Sequence, residues 1–443
     1  MKKSLLALTV LFALELTAQS RFVFHQKLKK QDVSFKLINN LIVFPLEING
    51  QKLSFILDTG VNKTILFSAN NDSLKLKSTQ KVFIHGLGAG EPLEALRSRN
   101  NHFKIAEING YEQELYVITD DAFQLSSKMG TTIHGIIGFD LLKDVVVRVN
   151  YSSERLTFYK PITYKEPRCR SCEKLPITFD KNKPYINASV KLDSSNIPIT
   201  VKMLVDSGGS DALWLFEGTG KNIKTPSKFF IDILGEGLSG TIYGKRSRIR
   251  SLSIGKYEMP EPTASFLDTL STLNARRYRE RNGSIGGEVL KRFKVWIDYP
   301  NNKLILKKNA SLKRGFFYNM SGLHVVYNGL ELVKEKSTNL ARVQNDFGEA
   351  AGSSNKTISF VTSYNYRFKP SFKVDRVAPG SPAALAGIQQ GDLIKKINGK
   401  LAHEFTLEEI MEIFHSKPKK KIVMIVERGV MDFKYKFRLE KRI

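Results

Sequence analysis

The chain contains an internal repeat with a constant offset. Gly138-Phe-Asp-Leu-Leu-Lys-Asp-Val-Val-Val-Arg-Val-Asn-Tyr-Ser-Ser-Glu-Arg-Leu156 aligns without a gap on Gly286-Gly-Glu-Val-Leu-Lys-Arg-Phe-Lys-Val-Trp-Ile-Asp-Tyr-Pro-Asn-Asn-Lys-Leu304, 148 positions later. The same offset separates Phe55-Ile56-Leu57-Asp58-Thr59-Gly60 from Met203-Leu204-Val205-Asp206-Ser207-Gly208. A repeat fixes architecture before any single element is assigned, because its copies must fold alike. This one also singles out two carboxylates. An Asp at the end of an apolar strand is costly to desolvate alone, and each copy supplies one at the same point.

Both copies are β-rich. In the first, 40–50 and 51–57 read as a hairpin leading into Asp58, and 81–90 as a strand running into a glycine-rich tip. Gly135-Ile136-Ile137-Gly138 precedes a short helix at 139–143, and a hairpin over 145–159 closes the unit. The second copy repeats this programme, with 185–192 and 197–205 leading into Asp206, and 229–234 running into Gly235-Glu-Gly-Leu-Ser-Gly240. Past about Leu312 the pattern changes: short strands, a polar loop expected over 331–356, a helix at 381–386, the turn Asn398-Gly399, and a capping box at Thr406-Leu-Glu-Glu409. Leu407, Ile410, Met411 and Phe414 then form one apolar helical face, expected to serve as core. The expected division is a signal segment (1–18), a first lobe (19–160), a linker (161–184), a second lobe (185–312) and a C-terminal domain (313–443).

Lys2 and Lys3, the apolar run Leu5 to Leu14 and the small-residue site Leu16-Thr17-Ala18 form a secretory signal, so the chain is expected to be exported to a periplasm or secreted. No later stretch is apolar enough to span a membrane. The formal charge of +26 becomes +25 once Lys2, Lys3 and Glu15 are removed. The basic residues are scattered and no nucleic-acid module accompanies them, so nucleic acid is not expected as a partner. The two cysteines, Cys169 and Cys172, are best used in an exported chain as a local disulfide. A zinc site lacks two further ligands nearby, and a redox site lacks its strand–helix setting.

A duplicated β unit can bring its two aspartates face to face across a pseudo-twofold axis. There both cannot ionise, one proton is shared, and the pair can activate a water while protonating a carbonyl oxygen. Asp58-Thr-Gly and Asp206-Ser-Gly, each led by apolar residues and followed about eighty positions on by segments ending in Gly138 and Gly286, resemble the two-lobed aspartic proteases over roughly 35–308. The resemblance implies a mainly β, pepsin-like or retropepsin-like two-lobed barrel with Asp58 and Asp206 as the catalytic pair. Thr59, Gly60, Ser207 and Gly208 would support the catalytic turns. The glycine-rich tips, with Gly86 and Gly88 in one lobe and Gly235 and Gly237 in the other, lie where a flap would cover a polypeptide substrate. No metal or cofactor is required. The sequence departs from the pattern at Val61, Gly209 and Ser284.

The segment Val377-Ala-Pro-Gly-Ser-Pro-Ala-Ala-Leu-Ala-Gly-Ile-Gln-Gln-Gly-Asp-Leu-Ile-Lys-Lys-Ile-Asn-Gly399 resembles PDZ domains, which add an extended peptide end as a strand. The resemblance maps the peptide-carboxylate loop to Ser321, Gly322 and Leu323. Two function classes follow. One is an exported aspartic endopeptidase whose PDZ domain binds peptide ends. The other is a non-catalytic peptide-binding receptor or scaffold that keeps the protease fold.

Overall fold

The computed structural model describes residues 20–67, 74–84, 92–118, 125–192, 197–220, 222–237, 240–267, 272–273, 275–342 and 358–443. The expected signal segment and the tip carrying Gly86 and Gly88 lie outside the described residues. The chain is mainly β, as its patterning predicts.

Each lobe is a sheet organised around one parallel pair. In the first, the hairpin Leu41–Ile48 and Gln51–Leu57 carries Asp58, and Gly135–Ile137 runs parallel to Gln51–Leu57 with Ile137 beside Leu57. In the second, Lys183–Lys191 and Ile199–Val205 carry Asp206, and Arg281–Ile285 runs parallel to Ile199–Val205 with Ile285 beside Val205. These strands alternate between two buried faces. A strand covered on both sides reads as a near-continuous apolar run, as Phe55-Ile-Leu57 and Met203-Leu-Val205 do.

A third, six-stranded sheet joins the lobes. Its centre is the antiparallel pairing of Val146–Asn150 with Phe293–Asp298, in which Arg148 faces Trp296. These two residues are equivalent positions of the repeat, so the pseudo-twofold axis passes between them. Val147, Val149, Val295 and Ile297 bury their side chains in a core continuous with both lobes. Residues 161–184, read from sequence as a linker, contribute the strand Cys172–Pro176 to this sheet and the strand Thr178–Asp180 to the second lobe. Cys169 and Cys172 are disulfide-bonded.

The C-terminal sheet is built from Leu323–Arg342, Ile358–Val377, Leu393–Ile397, Lys421–Arg428 and Met431–Arg438, flanked by the helix Leu407–Phe414. The capping box forms: Glu409 N–H donates to Thr406 Oγ1, and Thr406 N–H to the Glu409 carboxylate. Leu407, Ile410 and Phe414 are buried in the domain core, as the helical face predicts. The loop expected over 331–356 is corrected. The first strand continues to Arg342, paired with its partner from Leu323↔Val377 to Arg342↔Ile358. Leu330 and Leu332 alternate with Glu331 and Val333 at the strand period of two, a pattern the charged residues disguise.

This domain rests on the second lobe's hairpin, Phe229–Gly237 and Gly240–Arg248. Phe230 belongs to the C-terminal domain's core, its ring 5.6 Å from Tyr318 and 4.0 Å beneath the Arg442 guanidinium. Two residues on, Asp232 accepts Arg246 Nε at 2.8 Å and lies 3.5 Å from His324 Nε2. Burial works to raise Asp232, but His324 and Arg246 outweigh it and hold its carboxyl at about 2. Phe230→Ala is expected to lower global stability by about 3 kcal/mol through the cavity it leaves, read as a lower denaturant midpoint.

Candidate active site

Asp58 and Asp206 leave their strands at equivalent points. Asp58 N–H donates to Ile137 O and Asp206 N–H to Ile285 O, each at 2.9 Å. The strands are thereby held against the Gly138 and Gly286 segments. A Cβ on Gly138 would collide with Asp58 O, and one on Gly286 with Asp211 O. These glycines are required by close backbone approach.

The two turns grip each other. Thr59 N–H donates to Ser207 Oγ at 3.0 Å, and Ser207 N–H to Thr59 Oγ1 at 2.9 Å. Each hydroxyl then donates across the axis: Thr59 Oγ1 to Val205 O at 2.6 Å and Ser207 Oγ to Leu57 O at 2.7 Å. Thr59 and Ser207 are both buried, so all four bonds are shielded from water. The hydroxyls lock backbone to backbone, and the glycine amides touch the carboxylates. Gly60 N–H donates to Asp58 Oδ1 at 2.6 Å and Gly208 N–H to Asp206 Oδ1 at 3.2 Å. A Cβ on Gly208 would strike the Asp58 carboxylate, and one on Gly60 would lie 2.9 Å from Asp206 Oδ1. The structure brings all six sequence-predicted turn residues together.

Asp58 is buried, Asp206 is half-buried, and the two carboxylates are hydrogen-bonded to each other. Burial, then the Asp206 charge, pushes Asp58 up to about 8. Burial also raises Asp206, opposed by the cations Arg281 and Lys183. The ionised form therefore settles on Asp206, beside the cations, and the proton on Asp58. Tyr299 Oη closes the floor by donating to Thr59 O at 3.3 Å. Among the described residues no three His, Cys, Asp or Glu side chains converge as a metal site would.

Sequence reasoning missed Lys183, Arg281 and Tyr299. Arg281 could have been found by comparing the repeats at their common offset, where it replaces Ile133; Lys183 matches Leu41 only through the hairpin registers. The departure at Ser284 has a local cause: its hydroxyl accepts Arg281 Nη2 at 2.8 Å.

Gly235 and Gly237 lie on the second-lobe hairpin that carries the C-terminal domain. In the proposed carboxylate loop, Ser321 N–H and Gly322 N–H both donate to Asn319 Oδ1, at 3.0 and 3.3 Å, and Leu323 N–H donates to Ser321 Oγ at 3.0 Å. Three loop donors thus converge on side-chain oxygens of the chain itself. The short helix Leu125–Met129 of the first lobe packs against the strand Leu323–Arg342.

Thr59→Val keeps the side-chain shape but leaves Ser207 N–H and Val205 O without partners. It is expected to cost about 2–4 kcal/mol, measured by denaturant unfolding.

Residues 44–141 match the family model for aspartyl proteases, and residues 373–428 match that for PDZ domains. No curated protein matches the chain. The chain carries an aspartyl protease domain and, C-terminal to it, a PDZ domain.

Proposed function

We propose that the chain is an exported aspartic endopeptidase. The observation that carries this reading is the mutually hydrogen-bonded pair Asp58 and Asp206, held in register by the reciprocal Thr59–Ser207 bonds. A water bound between the carboxylates loses a proton to Asp206 while its oxygen attacks the peptide carbonyl. Asp58 donates its proton to the carbonyl oxygen, giving a tetrahedral diol. Collapse of the diol breaks the C–N bond, with a proton passing from the dyad to the amine. Lys183 and Arg281 favour the ionised form of Asp206, and burial favours the protonated form of Asp58. The two roles are therefore divided before substrate arrives.

The hairpin carrying Gly235 and Gly237 would cover one side of the bound chain and exclude water. At the PDZ domain, a peptide C-terminus would take the place of Asn319 Oδ1 before the Ser321 and Gly322 amides. The sequence of residues 1–18 supports delivery across a membrane before this chemistry begins.

The test is cleavage of a mixed peptide pool from acid to neutral pH by the parent and by Asp206→Asn. The parent is expected to cleave, and the variant to lose at least about a thousandfold in kcat/KM; no difference between them at any pH sinks the reading. The parent's rate is expected to fall as pH rises through about 8, where Asp58 loses its proton.

The same shift affects stability. Asp58 binds its proton more tightly folded than unfolded, so its contribution is full below the ordinary carboxylate range and declines as pH rises towards 8. Asp58→Asn removes that decline. Its melting temperature is expected to exceed the parent's by more at pH 8 than at pH 5, as calorimetry at the two values would measure.

A further inference from the structure

Because the lobes share one plan, each is an internal standard for the other, and beside the aspartates they differ in kind. In the first lobe the turn Asn39-Asn40 leads into Leu41, and in the second Lys181-Asn182 leads into Lys183. Both turns hold both residues at positive φ, 48° and 67° against 46° and 65°. Ile38 faces Leu41 across one turn, and Asp180 faces Lys183 across the other. Continuing the registers Val43↔Ile56 and Tyr185↔Leu204 sets Leu41 opposite Asp58 and Lys183 opposite Asp206.

Two further substitutions follow the repeat offset: Ile133 corresponds to Arg281, and Ile136 to Ser284. The alignment is fixed by matching side-chain contacts. Ser54 N–H donates to His134 Nδ1 at 3.0 Å, and Lys202 N–H to Asn282 Oδ1 at 2.7 Å. The first lobe thus walls its aspartate with an apolar cluster that includes Leu41, Met129 and Ile133. The second lobe builds the same wall from cations.

Arg281 is held by its own lobe. Its Nε donates to Gly283 O at 3.3 Å, its Nη2 to Ser284 Oγ, and it is hydrogen-bonded to the Tyr185 hydroxyl. Its guanidinium lies 5.0 Å from the Phe216 ring centre. The Lys183 ammonium, on a half-buried side chain, has no hydrogen bond or ion pair among the described residues, and Asp180 across the turn pairs with Lys183 through the backbone alone. The dyad, sharing one proton, sets one negative charge beside these two cations, and the Asp180 carboxylate adds its field on Lys183 without an ion-pair contact. Burial and Arg281 work against the charge on Lys183, while Asp206, Asp58 and Asp180 sustain it. A partly desolvated ammonium is thus left short of an acceptor, and an incoming carboxylate would supply one.

We infer that Lys183, backed by Arg281, forms a carboxylate-binding subsite on the Asp206 side of the cleft, opposite the apolar wall that Leu41 provides on the Asp58 side. The preferred peptide carries a carboxylate on one side of the reacting bond and an apolar residue on the other. The carboxylate is either an acidic side chain or the end of the peptide chain. That a bond reacts between the two subsites rests on the peptidase reading; the binding preference does not.

The test measures binding without turnover, by fluorescence anisotropy with the full chain carrying Asp58→Asn, which keeps Asp206 ionised. Three labelled peptides are compared. One has both ends blocked and an internal Leu-Glu, the second has Gln in place of Glu, and the third ends in a free carboxylate directly after Leu. Blocked ends keep the first two from end-capture at the PDZ loop, and dependence on Lys183 separates the two sites for the third. The Glu peptide or the free-end peptide is expected to bind about tenfold more tightly than the Gln peptide. That preference is expected to vanish on adding Lys183→Leu, the first lobe's residue, and to survive Lys183→Arg. A Lys183-dependent preference for Glu assigns the side chain, and one for the free end assigns the chain terminus. Equal binding of all three, binding of none, or a preference that outlasts Lys183→Leu overturns the subsite. Turnover by the parent is scored separately: its absence beside an intact preference sinks the peptidase reading alone.

Discussion

The structure depends on the reciprocal bonds between Thr59 and Ser207. Neither lobe can satisfy its own aspartate turn: the Thr59 amide finds its acceptor in the second lobe and the Ser207 amide in the first. Leaving a buried amide unpaired costs free energy on the scale of a lost hydrogen bond. The two halves are therefore bound at the point where their chemistry meets. The carboxylates inherit their placement from this lock, and the glycine amides then reach them. The bridging sheet, centred on Arg148 and Trp296, repeats the same symmetry on the opposite side of the core.

Much of this was legible because a repeat is a long-range statement. The offset shared by Asp58/Asp206 and Gly138/Gly286 predicts two equivalent lobes, and the apolar runs before each Asp predict strands covered on both faces. The C-terminal domain was legible through local chemistry, such as the capping box at Thr406. What escaped the sequence is what depends on departures from symmetry or pattern. Lys183 lies far from Asp206 along the chain and becomes its neighbour only through hairpin register. Ser284 looked like a defect in an apolar motif until its hydroxyl proved to hold Arg281. The strand through Arg342 was hidden because Glu331 and Glu335 look like loop residues, although alternation on an exposed strand permits them.

The contact between the C-terminal domain and the second lobe carries a polar run beside Phe230. His324, Asp232, Arg246 and Asp211 form a continuous run, with Arg246 Nη1 3.0 Å from Asp211 Oδ1. Asp211 also accepts from Trp214 Nε1 and Ser265 Oγ, both at 2.8 Å. It lies five residues past Asp206, on the backbone that Gly286 presses against. Arg246 is buried with both its carboxylate partners inside the second lobe, so the ion pairs stay intact without the C-terminal domain, and His324 joins them at Asp232 from outside. The hairpin bearing Gly235 and Gly237 is therefore tied at its base, through Asp232 to the C-terminal strand and through Arg246 to the backbone that follows Asp206.

The axis between Arg148 and Trp296 has a further consequence for how such a cleft can diversify. Two identical copies meeting on a true twofold must present the same residue on both sides of their axis, so any change is made twice. In a single chain that contains both halves, Leu41 and Lys183 are encoded separately. One wall can turn cationic while the other stays apolar, and neither change disturbs the hydroxyl lock beneath. The duplication therefore gives the site a left and a right hand, and with them a direction in which an extended chain can be told from its reverse.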